Sequence, residues 1–324
     1  MSAPETDSPL TDGAERADAH QGGGADPHAA ARRPLSRPQA FARALRPKQW
    51  SKNLFVFAGL IFAGEMRNIE AVGVTLAAFA CFCALSSAVY LINDVADRER
   101  DRLHPRKRFR PIASGDLPVG AALAAFAALS VGGIAAAAFI GWKFALIAAG
   151  YWLLMLAYTF VLKHEVILDV FAIAAGFVLR ALAGAVAIDV KISSWLIICT
   201  TFAALFLALS KRRAELATIG DNNYEQRRSL EHYSIGFIDQ MISVVTAATL
   251  VCYMLYTAQS ETAMRHSGLM FTIPFVLYGI FRYLYLVYRK EQGETPEQMI
   301  VEDRPLLVNL LLWAALSALI MWRT

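Results

Sequence analysis

From about residue 54 onward, long apolar runs alternate with short polar breaks. A helix that crosses the hydrocarbon of a bilayer needs about 20 predominantly apolar residues. Runs of that size cover 48–64, 70–93, 117–140, 143–162, 166–188, 193–210, 236–258, 268–288 and 304–322, which predicts nine spanning helices. In the first run only Asn53 to Gly64 is free of charge, so that span borrows the preceding Pro47–Lys52 turn. The Ala- and Gly-rich run Val119–Gly141 suits close helix packing in lipid. Residues 1–40 differ: they hold Gly22-Gly23-Gly24, abundant Ala, Pro, Asp and Arg, and no apolar run. Such a stretch cannot bury enough surface to offset its ordering entropy, so a disordered cytoplasmic tail is expected ahead of one transmembrane domain, 41–324. It also lacks the apolar centre of a secretory signal. The predicted fold is an all-α integral membrane bundle of nine helices with a cytoplasm-facing polar cavity.

Composition agrees with that reading. Of the 324 residues 56% are hydrophobic and 18% charged, with a mean hydropathy of +0.42. Soluble domains sit near about 45–50% and about 25%, so a soluble globular enzyme is excluded as the default. Cys81, Cys83, Cys199 and Cys252 all fall inside apolar runs without a CxxC pair, which points to neither a disulfide framework nor a zinc site. The net charge of +4 is small, so the placement of charge decides more than its sum. With the N-terminus inside, twenty Lys and Arg fall in the inner connections and five in the outer ones. That asymmetry orients the chain by the positive-inside rule. The polar connections 94–117 and 211–235 then face the cytoplasm from the plasma membrane, and no nucleic-acid partner is expected.

The densest polar stretch follows the second run: Asn93-Asp94-Val95-Ala96-Asp97-Arg98-Glu99-Arg100-Asp101, then Arg102, His104-Pro105, Arg106, Lys107, Arg108 and Arg110. Asp94, Asp97 and Asp101 recur at helical spacing and share one face, which Cys83, Ser87 and Tyr90 continue back into the span. A polar stripe is therefore expected to descend into the bundle, ending near Pro105, where proline stops the helix. Three carboxylates on one face repel unless a cation lies between them. Hard oxygen donors suit Mg²⁺, with Mn²⁺ as the alternative, and Mg²⁺ takes one or two carboxylates plus phosphates and waters. Asp94, Asp97, Asp101 and the adjoining Asn93 are the candidate ligands. The cations that follow would meet phosphates, Arg as a fork and Lys as a point charge. A solvated helix end would explain those cations but not the acids clustered at the membrane boundary.

Arg180 interrupts the fifth run near its middle, where a cation costs about 2.5–3.5 kcal/mol on insertion scales. It shares a face with Asp169, Gly176 and Gly184, so that face lines the bundle interior. Arg180 either reaches a substrate phosphate in the cavity or meets a structural partner on another helix. Lys48 and Lys52 beside Trp50 read as interfacial anchors, and Arg282 is expected to snorkel. His164, beside Lys163, reads as interfacial rather than as a base. Neither a Ser/His/Asp nor a Cys/His constellation is present.

The pattern Asn-Asp-x-x-Asp-x-x-x-Asp from Asn93, with His-Pro and then Lys107 to Gly115, resembles the first Asp-rich motif of the UbiA superfamily of intramembrane prenyltransferases. Further segments narrow the likeness: Arg46 to Asn53, Lys163-His164, Leu179 to Gly184, Lys211 to Glu215 and Ser229 to Tyr233. Together they are similar to the actinobacterial branch, the decaprenyl-phosphate phosphoribosyltransferases, from about residue 43 to the end of the chain. The resemblance implies Mg²⁺-dependent transfer of 5-phosphoribose from phosphoribosyl diphosphate (PRPP) to decaprenyl phosphate, feeding cell-wall arabinan. It also implies donor contacts from Lys52 and Asn53, and fixed charge on the diphosphate from Lys107, Arg108 and Arg110. Most of the superfamily carries a second Asp-rich motif where this chain has Lys211-Arg212-Arg213, Glu215 and a lone Asp221. A donor with a 5-phosphate beside its diphosphate calls for more positive charge there, with Lys211 and Arg212 as the clamp. The chain departs from the branch at Arg213, where the pattern carries Tyr. Two other classes stay open. An aromatic prenyltransferase would show a second acidic cluster near 211–225, and a transporter would carry ionisable residues at mid-membrane in several spans. Association of identical subunits is likewise open.

Overall fold

The computed structural model describes residues 35–104, 107–191, 193–218, 232–266, 268–289, 299–300 and 302–322. Residues 1–34 of the expected tail, Pro105, Asp221 and Ser229–Glu231 lie outside them. A helix, Arg37–Ala44, already occupies the end of the stretch expected to be tail. Every regular element among the described residues is helical.

Among the described residues, eight helices are long and apolar enough to cross a membrane. They are α1 (Ile69–Ala96), α2 (Val119–Ile140), α3 (Trp142–Phe160), α4 (Leu168–Ala187), α5 (Ser194–Thr218), α6 (Ile235–Gln259), α7 (Ile273–Arg289) and α8 (Arg304–Trp322). The first expected span, 48–64, is not a ninth α-helix. It folds as an 11-residue 3-10 helix, Pro47–Phe57, continued by one α-turn, Ala58–Phe62. A 3-10 helix rises about 2.0 Å per residue against about 1.5 Å for an α-helix. The segment therefore covers about 30 Å, the thickness of the hydrocarbon core, with fewer residues than an α-helix needs. Three residues per turn also stack Trp50, Asn53, Val56 and Gly59 on one face, and Asn53 and Val56 are fully buried.

The 3-10 segment lies against α1 and α4. Those two helices are the centre of the bundle, with 56% and 50% of their apolar stretches buried against 17% for α2 and α8. One core joins Val56, Phe82, Leu85, Phe144 and Tyr151; a second joins Phe206, Leu209, Ile238, Tyr283 and Leu286, and α4 supplies residues to both. The small residues of α2 serve one narrow face: a Cβ on Gly133 would lie 2.7 Å from the Leu85 side chain. Ion pairs join several helix ends: Asp97 beyond α1 to Lys163 beyond α3, Arg212 of α5 to Asp169 of α4, Arg213 of α5 to Asp239 of α6, and Arg282 of α7 to Asp303 ahead of α8. Arg282 Nε and Nη2 clasp Asp303 at 3.1 and 2.8 Å, and Asp303 also caps α8 at the Leu306 amide.

Candidate active site

The last turn of α1 carries Asn93 and Asp94, and the helix stops at Ala96. Asp97 stands between α1 and the short helix Arg98–Leu103, with φ −91° and ψ 2°. This break corrects the expected continuous acidic face. Asp94 and Asp101 turn to one cation, Arg110, whose Nη1 lies 3.1 and 2.6 Å from them. Asp97 turns instead to Lys163, 2.8 Å away, and to Arg100 at 3.0 Å. Lys163 Nζ also lies 3.5 Å from Asn93 Oδ1. Arg46 meets Asp94 at 2.5 Å, its guanidinium stacked over the Tyr90 ring. Asp94 and Asp101 are buried. Burial pushes the Asp101 carboxyl above its ordinary range against the opposing pull of Arg110, and neighbouring Asp94 adds to the rise.

The stripe below this patch holds the N-terminal segment. Asn53 Nδ2 donates to Cys83 Sγ at 3.3 Å and to Ser86 Oγ at 3.1 Å. Trp50 Nε1 donates to Ser87 Oγ, which in turn donates to the Leu45 carbonyl. Asn53 Oδ1 accepts from Arg180 Nε at 2.8 Å, so Asn53, an expected donor contact, is engaged with Arg180. The other Arg180 nitrogens donate to Gly176 O and the Tyr151 hydroxyl at 2.9 and 2.7 Å, with the rings of Tyr151 and Phe177 beneath the guanidinium. Of the two readings for Arg180, these contacts are the structural one. Arg180→Lys places a single nitrogen where three directions are needed. It is expected to cost about 3 kcal/mol, read as a lower thermal midpoint in detergent. Lys52 is half-buried on a neighbouring face of the same segment.

Helix α5 runs past its apolar stretch to Thr218, which makes Lys211–Glu215 helical. Arg212 is buried, with Nε 3.3 Å from Asp169 Oδ2 and Nη1 on Glu215 Oε2. Lys211 Nζ lies 3.9 Å from Glu215 Oε1. Arg213 donates to Asp239 at 2.7 Å and stacks on Tyr288, whose hydroxyl donates to the same carboxylate oxygen. Each cation of the triplet thus has an acid. The Tyr233 hydroxyl donates to Asp169 Oδ1 at 2.9 Å. Burial, with Asp169 alongside, pushes that hydroxyl up, so it stays a protonated donor.

The expected residues therefore fall into separate groups. Asn93, Asp94, Asp97, Asp101 and Arg110 meet in one patch; half-buried Lys107 and exposed Arg108 form the 3-10 turn Lys107–Phe109 just before Arg110. Lys211 and Arg212 both meet Glu215, Arg212 also meets Asp169, and Asn53 pairs with Arg180. Arg46 and Lys163 belong to the acidic patch although the sequence singled out neither as a site residue. Their signal was positional: each closes a polar break on the side assigned to the acids. Among the described residues no group of three or more His, Cys, Asp or Glu is arranged as a metal cage. The donor set nonetheless fits a hard divalent ion, which needs one or two carboxylates beside phosphates and water, and guanidinium and ammonium groups already stand on those oxygens.

The sequence pattern of the UbiA prenyltransferase family matches residues 53–321. The chain belongs to the UbiA prenyltransferase family. Membership replaces the transporter alternative. Within the family it is 34% identical over 295 residues to the decaprenyl-phosphate phosphoribosyltransferase of Mycolicibacterium smegmatis, covering 86% of this chain and 92% of that protein. The enzyme of that name from Corynebacterium glutamicum is 36% identical over 291 residues, covering 86% of each. Among solved folds, a UbiA homolog from Archaeoglobus fulgidus bound to GPP and Mg²⁺ superposes with a TM-score of 0.68 at 18% identity, over 87% of this chain and 99% of that one. That likeness shows the UbiA fold.

Proposed function

We propose that this UbiA member transfers 5-phosphoribose from PRPP to decaprenyl phosphate, with release of diphosphate, at the cytoplasmic face of the plasma membrane. The relatives' names and the branch-specific segments support the reading. The observation that carries it is the pairing of every acid in the first patch with a cation: Arg46, Arg110, Lys163 and Arg100. A donor with a single diphosphate needs little positive charge once a metal is bound. A donor with a further phosphate needs these cations too.

Asn93, Asp94, Asp97 and Asp101 are the residues that would hold Mg²⁺, which would act as a Lewis acid on the departing diphosphate. Arg46 and Arg110 present guanidinium forks to the same phosphates, with Lys107 and Arg108 adding fixed charge at the rim. Lys211 reaches toward the 5-phosphate, while buried Arg212 with Glu215 anchors its helix on α4. Loss of diphosphate from C1 builds positive charge on the ribose ring and negative charge on the leaving group. The nucleophile, a lipid phosphate oxygen, is already ionised at neutral pH, so no general base is required. Positioning and electrostatics do the rest. The acceptor enters sideways between helices and leaves its isoprenoid tail in the hydrocarbon. The product then serves as a precursor of the arabinose donor for cell-wall arabinan.

The purified protein in lipid nanodiscs, given radiolabelled PRPP, decaprenyl phosphate and MgCl₂, is expected to yield a labelled phosphoribosyl lipid extractable into organic solvent. Product from a prenyl diphosphate and an aromatic acceptor, with none from PRPP, overturns the assignment.

A further inference from the structure

We propose that Tyr233 is a positioning residue for this reaction, whose hydroxyl locks a strained turn at Ile167 and thereby sets Lys163 on Asp97. The substrate named in its test rests on the phosphoribosyl reading above. Ile167 has φ 70° and ψ −47°, and the Leu168 amide donates to the Val166 carbonyl at 2.8 Å across it. This is a γ-turn of the positive-φ kind, rare and strained for any residue and an outlier for a β-branched one. Such a conformation persists only when its surroundings over-determine it, and it concentrates at functional sites.

The surroundings here are specific. The Ile167 amide donates to the Tyr233 hydroxyl at 2.7 Å, and that hydroxyl donates to Asp169 Oδ1 at 2.9 Å. Asp169 is fully buried and lies 3.3 Å from Arg212, which also holds Glu215. One hydroxyl thus ties the entry of α4 to the residue ahead of the α6 cap, and Asp169 ties the same entry to Arg212 at the end of α5. On the other side of the turn, the 3-10 segment Leu162–His164 carries Lys163, buried and 2.8 Å from Asp97. The Glu165 amide bonds back to Leu162 O, and the Asp169 amide bonds back to Glu165 O. With so short and so tied a link, relaxing Ile167 to negative φ redirects the chain and draws Lys163 off Asp97. The cation on the acidic patch is therefore placed by a tyrosine 66 residues away from the turn it holds.

Tyr233→Phe keeps the ring, which stacks on Phe237, and removes only the hydroxyl. It is expected to raise KM for PRPP about tenfold, the scale of a lost buried hydrogen bond, with kcat changed by less than about twofold. Acylation of Lys163 by an amine-reactive ester, read by mass spectrometry, is expected to quicken about tenfold in the same variant. Ile167→Gly in the Tyr233→Phe background should recover most of both, because glycine takes positive φ without steric cost. Ile167→Gly alone should leave both near wild type. A lost packing contact at Tyr233 would not respond to a glycine at the turn. Wild-type KM and wild-type Lys163 acylation in Tyr233→Phe overturn the proposal. If wild-type protein makes no product from PRPP but Lys163 acylation responds as described, the donor assignment fails and the role of the turn stands.

Discussion

Asp97→Asn is expected to lower kcat/KM for PRPP by about 10²–10³-fold, the cost of removing one preorganised electrostatic group, in a protein that still folds. Asparagine keeps an Oδ1 acceptor for Lys163 and Arg100, now at 2.8 and 3.0 Å, so the end of α1 stays in place. What disappears is one negative charge on the proposed metal site, and with it the ionic part of the Lys163 and Arg100 contacts. The control lies two residues on. Glu99 is an acid in the same run, but its side chain is 74% exposed and among the described residues pairs along its own helix, with Arg102 at 3.2 Å and Arg98 at 3.7 Å. Exposed pairs of that kind contribute little, and Glu99→Gln should change kcat/KM by less than about twofold. Initial rates at saturating MgCl₂, with gel-filtration profiles as the check on folding, separate the two. Retained activity in Asp97→Asn removes it from the site. An equal loss in Glu99→Gln would mean that net charge, not placement, is what the run supplies.

The spanning helices were legible because the bilayer imposes a length and an apolar composition that the chain meets in each run. Helix ends were legible where charge stops a run and illegible where a helix continues in polar sequence. Helix α5 passes through Lys211-Arg212-Arg213 to Thr218 because Arg212 finds Asp169 on α4, a partner that hydropathy cannot reveal. The acid spacing implied a geometry that the structure does not keep, since a helical repeat drawn through Asp94, Asp97 and Asp101 assumes an unbroken helix. Asp97 sits at a junction between two helices, and its partner comes from the far end of α3. Cys83 and Ser87 lie on the polar face that the spacing placed them on, and that face meets Asn53 and Trp50. That match was hidden because 3-10 periodicity, three residues per turn, does not register in a search for α-helical stripes.

A large effect on folding is expected from Gly184→Ala. A Cβ there would lie 1.7 Å from the Val56 carbonyl oxygen and 2.6 Å from its carbon. Both are backbone atoms, so no side-chain rotation relieves the clash. Gly59 makes the reciprocal approach, its absent Cβ falling 2.6 Å from Ala185 Cα. The 3-10 segment and α4 therefore meet backbone to backbone, and an added methyl must push them apart. Separation also opens the 2.8 Å bond from Arg180 to Asn53, stranding a buried guanidinium nitrogen. The combined cost should reach about 3 kcal/mol, the upper end of overpacking, or about 5–10 °C in thermal midpoint for a protein of this size. Gly150→Ala is the matched control: it also lies inside a spanning helix, with nothing within 4 Å of its would-be Cβ. It should hold or raise the midpoint, since alanine is the better helix former. Thermal scans followed by gel filtration in one detergent read both variants. A Gly184→Ala protein that melts with the wild type would place the 3-10 segment elsewhere, and Arg46 would then no longer be carried to Asp94.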